Sequence, residues 1–401
     1  MSEDKEIHKN APQDNKKFLL NNKPLKTGGK SLKINSKASQ DKHPLKYEKS
    51  LKFTSEKAKN YCDEAEWYYF SKARNLFLSN QDFGWQSLTL QEKKIINGLE
   101  EYKIPAYLGY RFSFKKGINR KNYHTKPIFA LLEVSSACNI KCPFCFQSDP
   151  SFTTKEFMGI IDTKLAFNIV DQIDEMKIRG ITIASRGEPL LYNDLEILLD
   201  YIGSKENIIE IKMNTNAKRL TENRLKKLIK SPLNILVVST DHYEKEQYEK
   251  YRHGAKYDNF ISHISKINLI RNEFNRNNTL YTRASGVMVD KNMSEQKFDD
   301  FYQNFFDESA SVTLTAMWDT YSNDLEDLGE LNPCGMPFEK LYIWHDGTTN
   351  PCDVDYKSLL SPGNIGNLSL KECWDNMQYL RKAMLTNKRH LHKPCDRCYV
   401  N

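Results

Sequence analysis

Apolar and β-branched residues recur along the middle of the chain in six short runs, at 129–135, 181–185, 208–214, 235–239, 282–289 and 311–317. Runs of this length, bounded by polar residues, read as strands. Between them the apolar spacing lengthens to that of a helix. Over 162–177, Leu165, Ile169, Ile173 and Met176 share one face, and Gly180 stands just past the end as a stop signal. The same pattern predicts helices near 194–202, 221–230, 261–274 and 294–306. Alternating strands and helices with right-handed crossovers make a parallel α/β sheet, either doubly wound or curled into part of a barrel. In both forms the working face lies at the C-terminal ends of the strands, where the loops after the first, second and fourth strands would open.

The flanks differ from this core. Residues 61–127 carry helical patterns rich in aromatics, with Thr89 and Glu92 spaced as a capping box, and suggest no role of their own. Residues 1–60 are poor in apolar residues and rich in Lys, Asn and Ser, which reads as a disordered tail. Residues 330–401 lose the alternation and gain cysteines, so a second small domain is expected after a core at 128–325.

The formal charge of +7 belongs to the tail, where fifteen Lys and no Arg face seven acids; the rest of the chain sums to about −1. Diffuse Lys without interleaved Arg and aromatics does not describe a nucleic-acid face. No run approaches the ~18–20 apolar residues that span a bilayer. The charged start, Met1-Ser-Glu-Asp-Lys-Glu-Ile-His, has no apolar segment like that of a signal peptide, so no membrane partner and a cytoplasmic location are expected. Nine cysteines in a reducing compartment point to metal or redox chemistry over disulfides.

The first predicted strand runs into Cys138-Asn-Ile-Lys-Cys142-Pro-Phe-Cys145. Three thiolates can ligate three irons of a four-iron cubane, leaving the fourth iron for an amino-carboxylate chelator. A zinc site would need a fourth ligand, and only Asp149 is near in sequence. This loop resembles the signature of the radical S-adenosylmethionine (SAM) superfamily. Ser185-Arg186-Gly187-Glu188-Pro189 is similar to the family's Gly-Gly-Glu-Pro motif, with Arg186 in place of the first Gly. Asn214-Thr215-Asn216-Ala217 is similar to its Thr-Asn-Gly turn, and Ser239-Thr240-Asp241 to its Ser-x-Asp. The resemblance implies a partial (β/α)6 TIM-like barrel that binds a [4Fe–4S] cluster and S-adenosylmethionine. It places Gly187 and Glu188 at the methionine amino group, Ser239 at the carboxylate or ribose, Phe144 near the adenine, Asn216 close by, and backbone of 285–287 along the adenine. It also implies reductive cleavage to a 5′-deoxyadenosyl radical, fed by an external electron donor such as flavodoxin or ferredoxin.

A second set, Cys334, Cys352, Cys395 and Cys398, follows. Asp346-Gly347 reads as the turn of a hairpin that brings Cys334 and Cys352 together, and a helix near 371–385 returns the Cys-x-x-Cys to them. Spacing leaves tetrahedral zinc and a fully ligated cluster open. The segment, including the stretch 363–374, resembles SPASM or shortened twitch domains, and four cysteines in register imply one auxiliary [4Fe–4S] cluster. Twitch enzymes include one that oxidises an amino-sugar-like alcohol.

Cys373 reads as a small buried side chain, or as the hydrogen donor of an epimerase; Cys62 has no assigned role, and His390 and His392 read as residues at a helix end. Arg186, Arg252 and Arg283, with Asp241 and His242, fall near predicted strand ends and are candidates to hold or deprotonate a substrate. Three functions follow: a dehydrogenase or epimerase of a small sugar or aminocyclitol-like substrate, a peptide maturase, or a non-catalytic zinc module. A maturase often carries a winged-helix domain, and 61–127 shows no three-stranded part.

Overall fold

The computed structural model describes residues 44–116, 125–290, 292–313 and 333–398. Five helices come first: α1 (Pro44–Lys52), α2 (Glu56–Tyr61), α3 (Glu64–Leu78), α4 (Leu90–Gly98) and α5 (Ile104–Lys116). The expected tail over 1–60 therefore changes character at Pro44, and its residues 1–43 lie outside the described ones. Tyr47 and Leu51 of α1 are fully buried, so packing secures a helix whose charged composition hides it. Thr89 and Glu92 close the expected capping box on α4.

Six parallel strands follow: β1 (Phe129–Leu132), β2 (Gly180–Ile183), β3 (Glu210–Thr215), β4 (Ile235–Ser239), β5 (Tyr281–Met288) and β6 (Glu308–Thr313). Their spatial order equals their order in the chain. A doubly wound sheet reverses direction at a switch point; this one does not. With right-handed crossovers, steady progress puts every connecting helix on one face and leaves the other face lining a partial barrel.

The connecting helices are α6 (Thr163–Glu175), α7 (Leu195–Gly203), α8 (Glu222–Lys230), α9 (Lys245–Tyr251), α10 (Tyr257–Ile264), α11 (Ile267–Glu273) and α12 (Glu295–Tyr302). Asp162, Thr221 and Ser294 cap α6, α8 and α12 through their side chains. Ile169, Val170 and Ile173 of α6 pack with outward-facing Leu132, Ile181, Ile183, Met213 and Val238 in one core. Gly180 is the first residue of β2 instead of a helix stop; Lys177, at φ 53°, makes the left-handed turn after α6. The single helix expected over 261–274 is two, α10 and α11. β6 starts three residues before its predicted beginning, and 314–317 lie outside the described residues.

The C-terminal segment joins the same sheet. After α13 (Met336–Glu339), β7 (Lys340–Ile343) pairs in parallel with β1, and β8 (Thr348–Asn350) and β9 (Gly363–Asn364) extend it antiparallel. Gly347, at φ 85°, makes the expected hairpin turn. The helix expected over 371–385 breaks at Met377 into α14 (Leu370–Asn376) and α15 (Gln378–Leu385). No helix among the described residues is long and apolar enough to cross a membrane.

At the opposite end the amino-terminal helices cap the barrel. Ile95, Ile96, Ile104 and Tyr107 pack with Phe129, Ile235, Val237 and Tyr281, residues near the beginnings of the strands. α3 and α5 approach so closely that a Cβ on Gly109 would stand 2.2 Å from the Glu66 carbonyl oxygen. Arg179, which precedes β2 and is 1% exposed, holds this layer by a two-pronged bond to Glu66 (2.7 and 2.8 Å). Glu66→Gln keeps the shape and the capping acceptor but strands a buried guanidinium, and should cost about 3–5 kcal/mol in urea unfolding; a loss below about 1 kcal/mol would remove this pair from the account.

Candidate active site

The loop leaving β1 carries three free thiols, Cys138, Cys142 and Cys145, packed against the core with Phe144 and Ile140. It is pinned from three sides. Lys141 N–H donates to the His253 carbonyl (2.9 Å), Lys218 Nζ to the Asn139 carbonyl (2.9 Å), and Asn216 Nδ2 to Asn139 Oδ1 (2.8 Å). Asn216 Nδ2 also lies 3.7 Å from Cys138 Sγ. Burial pushes the Cys142 and Cys145 thiols up to about 12, with the Arg252 charge pulling back, and raises Cys138 as well. Such thiols are protonated and inert as nucleophiles at neutral pH, whereas coordination to a metal deprotonates them outright.

The loop after β2 meets this one backbone to backbone. A Cβ on Gly187 would stand 2.3 Å from the Ser135 carbonyl oxygen and 2.4 Å from that of Ala137, so only glycine allows the approach. Glu188 N–H donates to the Ala137 carbonyl (2.9 Å), and buried Gln147 bridges the Ser136 and Arg186 carbonyls. Ser185 holds φ at 130°, a strained conformation beside the site. The Glu188 carboxylate is 2% exposed; it accepts from Leu190 N and Thr215 Oγ1 on one oxygen and from Asn216 N (2.7 Å) on the other. Burial raises its pKa, and those donors oppose the shift. Ala217, at φ 58°, takes the left-handed conformation for which a glycine would be the easier residue. Ser239 ends β4 opposite Ser285 of β5, and Asp241 accepts from Val287 N (2.9 Å).

The three arginines expected near strand ends have separate places. Arg186 is 3% exposed and turned inward; it forks onto the Glu133 carboxylate (2.6 and 2.8 Å), donates to the Tyr356 carbonyl (2.8 Å) and lies 4.1 Å from the Trp344 ring centre. It therefore ties the strand ends to the C-terminal segment. Arg252 Nε lies 2.8 Å from Asp241 Oδ2, but the N–H misses the oxygen and both atoms are left without a formed hydrogen bond. Arg283 sits two residues before Ser285, in β5 opposite Val237. His242 is 2% exposed, its Nδ1 accepting from Glu244 N, and Asp149 is taken up by Tyr356 and Lys357. Glu133 and His345, 3.4 Å apart, were not singled out from the sequence. A lone carboxylate at the end of the apolar run Phe129-Ala-Leu-Leu was the available signal.

The second set lies around α13, β8 and the C-terminal turns. Cys334 and Cys395 pack on Phe338, Leu360, Leu380 and Met384. Burial raises Cys334, Cys352 and Cys395, and neighbouring thiols add to the rise: Cys398 acts on Cys334, Cys395 on Cys352, and Cys398 with Cys334 on Cys395. Cys395 is pushed up to about 12. Cys373 is fully buried in α14, with Thr349 as hydrogen-bond partner, and Cys62 is buried among the amino-terminal helices. His390 carries a buried Nδ1 with no partner among the described residues. His392 lies beside the Tyr379 ring.

Among the described residues no three His, Cys, Asp or Glu side chains converge at the distance of a single ion. A cubane binds its three thiolates through three different irons and holds them farther apart than one metal ion would. Ser185 Oγ, buried and without a hydrogen-bond partner among the described residues, leaves a polar atom for a ligand beside that loop. A family model described as the radical SAM superfamily matches residues 132–274, and an iron–sulfur cluster-binding model, SPASM, matches residues 334–399.

The chain carries a radical SAM domain and a C-terminal SPASM domain.

Among its relatives, the mycofactocin maturase MftC of Mycolicibacterium smegmatis is 22% identical over 218 residues, covering 54% of this chain and 51% of that protein. A probable GTP 3′,8-cyclase of Methanococcus maripaludis is 31% identical over 135 residues, 34% of this chain and 43% of that one. The chain thus spans about half the length, or less, of these relatives. Streptococcus suis SuiB bound to the precursor peptide SuiA shares the fold, with a TM-score of 0.51 at 16% identity over 78% of this chain and 81% of that one.

Arg186→Met separates anchoring from substrate contact. Leaving Glu133 buried without its partner should cost about 3–5 kcal/mol in urea unfolding. Unchanged stability with lost turnover would instead put Arg186 at the substrate.

Proposed function

We propose that this radical SAM enzyme cleaves S-adenosylmethionine reductively and abstracts hydrogen from a small polar, sugar- or aminocyclitol-like substrate, with one auxiliary cluster. The observation that carries this reading is the convergence of Glu188 and Asn216 on the three-thiol loop. When bound, the cluster on Cys138, Cys142 and Cys145 supplies an electron to S-adenosylmethionine, giving methionine and a 5′-deoxyadenosyl radical. Glu188 Oε2, with one donor so far, would accept from the methionine ammonium group, and Gly187 lets the backbone come close. Ser239 would serve the carboxylate or ribose, Phe144 and backbone of 285–287 the adenine, and Asn216 would steady the loop. The packed loops exclude water from the radical.

Cys334, Cys352, Cys395 and Cys398 would hold the auxiliary cluster, leaving no open iron. With four thiolate ligands it would supply a one-electron acceptor for an oxidation. A dehydrogenase is favoured over an epimerase because Cys373, the spare thiol, is fully buried within α14. The described residues before β1 are helical or 3-10 in their regular elements and cap the barrel, which favours a small substrate over a peptide gripped by a sheet edge. An external donor such as flavodoxin or ferredoxin would reduce the first cluster.

The reconstituted protein should form 5′-deoxyadenosine with dithionite, followed by chromatography of the products. Cys142→Ala should lower that yield by more than about a hundredfold, the scale already reached by losing outer-shell partners of a metal site. Glu188→Gln should keep its clusters and raise the KM for S-adenosylmethionine by about tenfold, as one charge-assisted bond is lost. A wild type that binds iron and makes no 5′-deoxyadenosine would overturn the reading.

A further inference from the structure

The inner face of the barrel holds a cavity of about 290 Å³ at the N-terminal ends of the strands, away from the thiols. Phe129, Thr182, Glu210, Lys212 and Arg283 line its strand side, and Tyr110 and Arg111 of α5 close it from below. Registers place Lys212 opposite Thr182 and Ile235, and put Arg283 one layer higher, beyond Val237 from Asn214.

The charges here are not balanced by the protein. Arg111 has Glu92 at 3.3 Å, and the Glu210 carboxylate takes the Tyr110 hydroxyl (3.2 Å) on one oxygen. Lys212 Nζ has no hydrogen bond or ion pair among the described residues, and buried Arg283 Nε has no partner either. The second oxygen of Glu210 and Asn214 Oδ1 are likewise buried and unsatisfied. Burial, then the Arg283 charge, brings Lys212 down to about 8; Glu210 opposes this while Lys340 and Arg111 add to it. Two cations without bonded partners and one free carboxylate oxygen, in a cavity near the size of a small-molecule site, describe a vacancy in hydrogen bonding.

We propose that this cavity is a binding site for a small polar molecule carrying a carboxylate or phosphate group. Lys212 and Arg283 take the anion, and Glu210 Oε2 accepts from a hydroxyl or amine on the same molecule. The site lies at the other end of the strands from the cysteine loop, so it stands or falls independently of S-adenosylmethionine cleavage.

The test is thermal unfolding of the reconstituted, full-length protein in inorganic phosphate and in glycerol 3-phosphate, each matched in ionic strength with sodium chloride. A saturable rise of roughly 4 °C at a hundredfold excess over Kd is expected from binding to the folded state. Equal response to both probes would assign the site to the oxyanion itself, and a lower Kd for glycerol 3-phosphate to an organic molecule bearing it. Lys212→Met and Arg283→Met should abolish the response and, by removing cations without bonded partners, unfold no lower than wild type without anion. Lys212→Arg should retain it. No saturable rise with either probe in the wild type, or an undiminished response in both Met variants, would overturn the proposal.

Discussion

The close approach of two backbones is the constraint on which the site depends. With the carbonyls of Ser135 and Ala137 so near Gly187, the β1 and β2 loops have no freedom to separate or slide. That contact fixes Glu188, whose carboxylate then receives the amide of Asn216 at the end of β3. Three successive strand ends are thereby locked around one loop of thiols. The next residue back, Arg186, extends the lock in the other direction, through Glu133 to β1 and through Tyr356 to the C-terminal segment. A few buried bonds at the C-terminal ends of β1 to β3 thus hold the cysteine loop and tie it to the C-terminal segment.

The amino-terminal helices are part of the same design. A barrel lined by alternate residues of six strands has an open lower end, and polar groups such as Glu210 and Lys212 would otherwise face solvent there. α4 and α5 close that end with Ile95, Ile96, Ile104 and Tyr107, while Tyr110 and Arg111 meet the polar groups. Arg179 and Glu66 join the layer to β2 by a pair buried from water. The polar interior is thus retained inside an apolar closure, which is costly unless the groups bind something.

Much of the core was legible because its signals are local. The β-branched runs mark the strands, and Asp162, Thr221, Ser294 and Thr89 mark helix starts by side chains that bond two or three residues on. What stayed hidden depends on distant partners. The choice between a doubly wound sheet and a barrel turns on strand order, which no local pattern carries. β7 pairs with β1 across more than two hundred residues, so the C-terminal segment read as a separate hairpin. The pairing of Arg186 with Glu133 was hidden because the two stand 53 positions apart. α1 was masked by averaging its composition with the Lys-rich residues before it, although Tyr47 and Leu51 are buried as firmly as any core side chain.

The proposed function requires the two cysteine sets to hold iron–sulfur clusters of different kinds, one open and one closed. Anaerobic reconstitution followed by iron and sulfide counting, on wild type and on a Cys138/Cys142/Cys145→Ala triple variant, addresses that directly. Two cubanes require about eight irons in the wild type and about four in the variant. Zinc in place of iron, or an iron count untouched by the triple substitution, would contradict it.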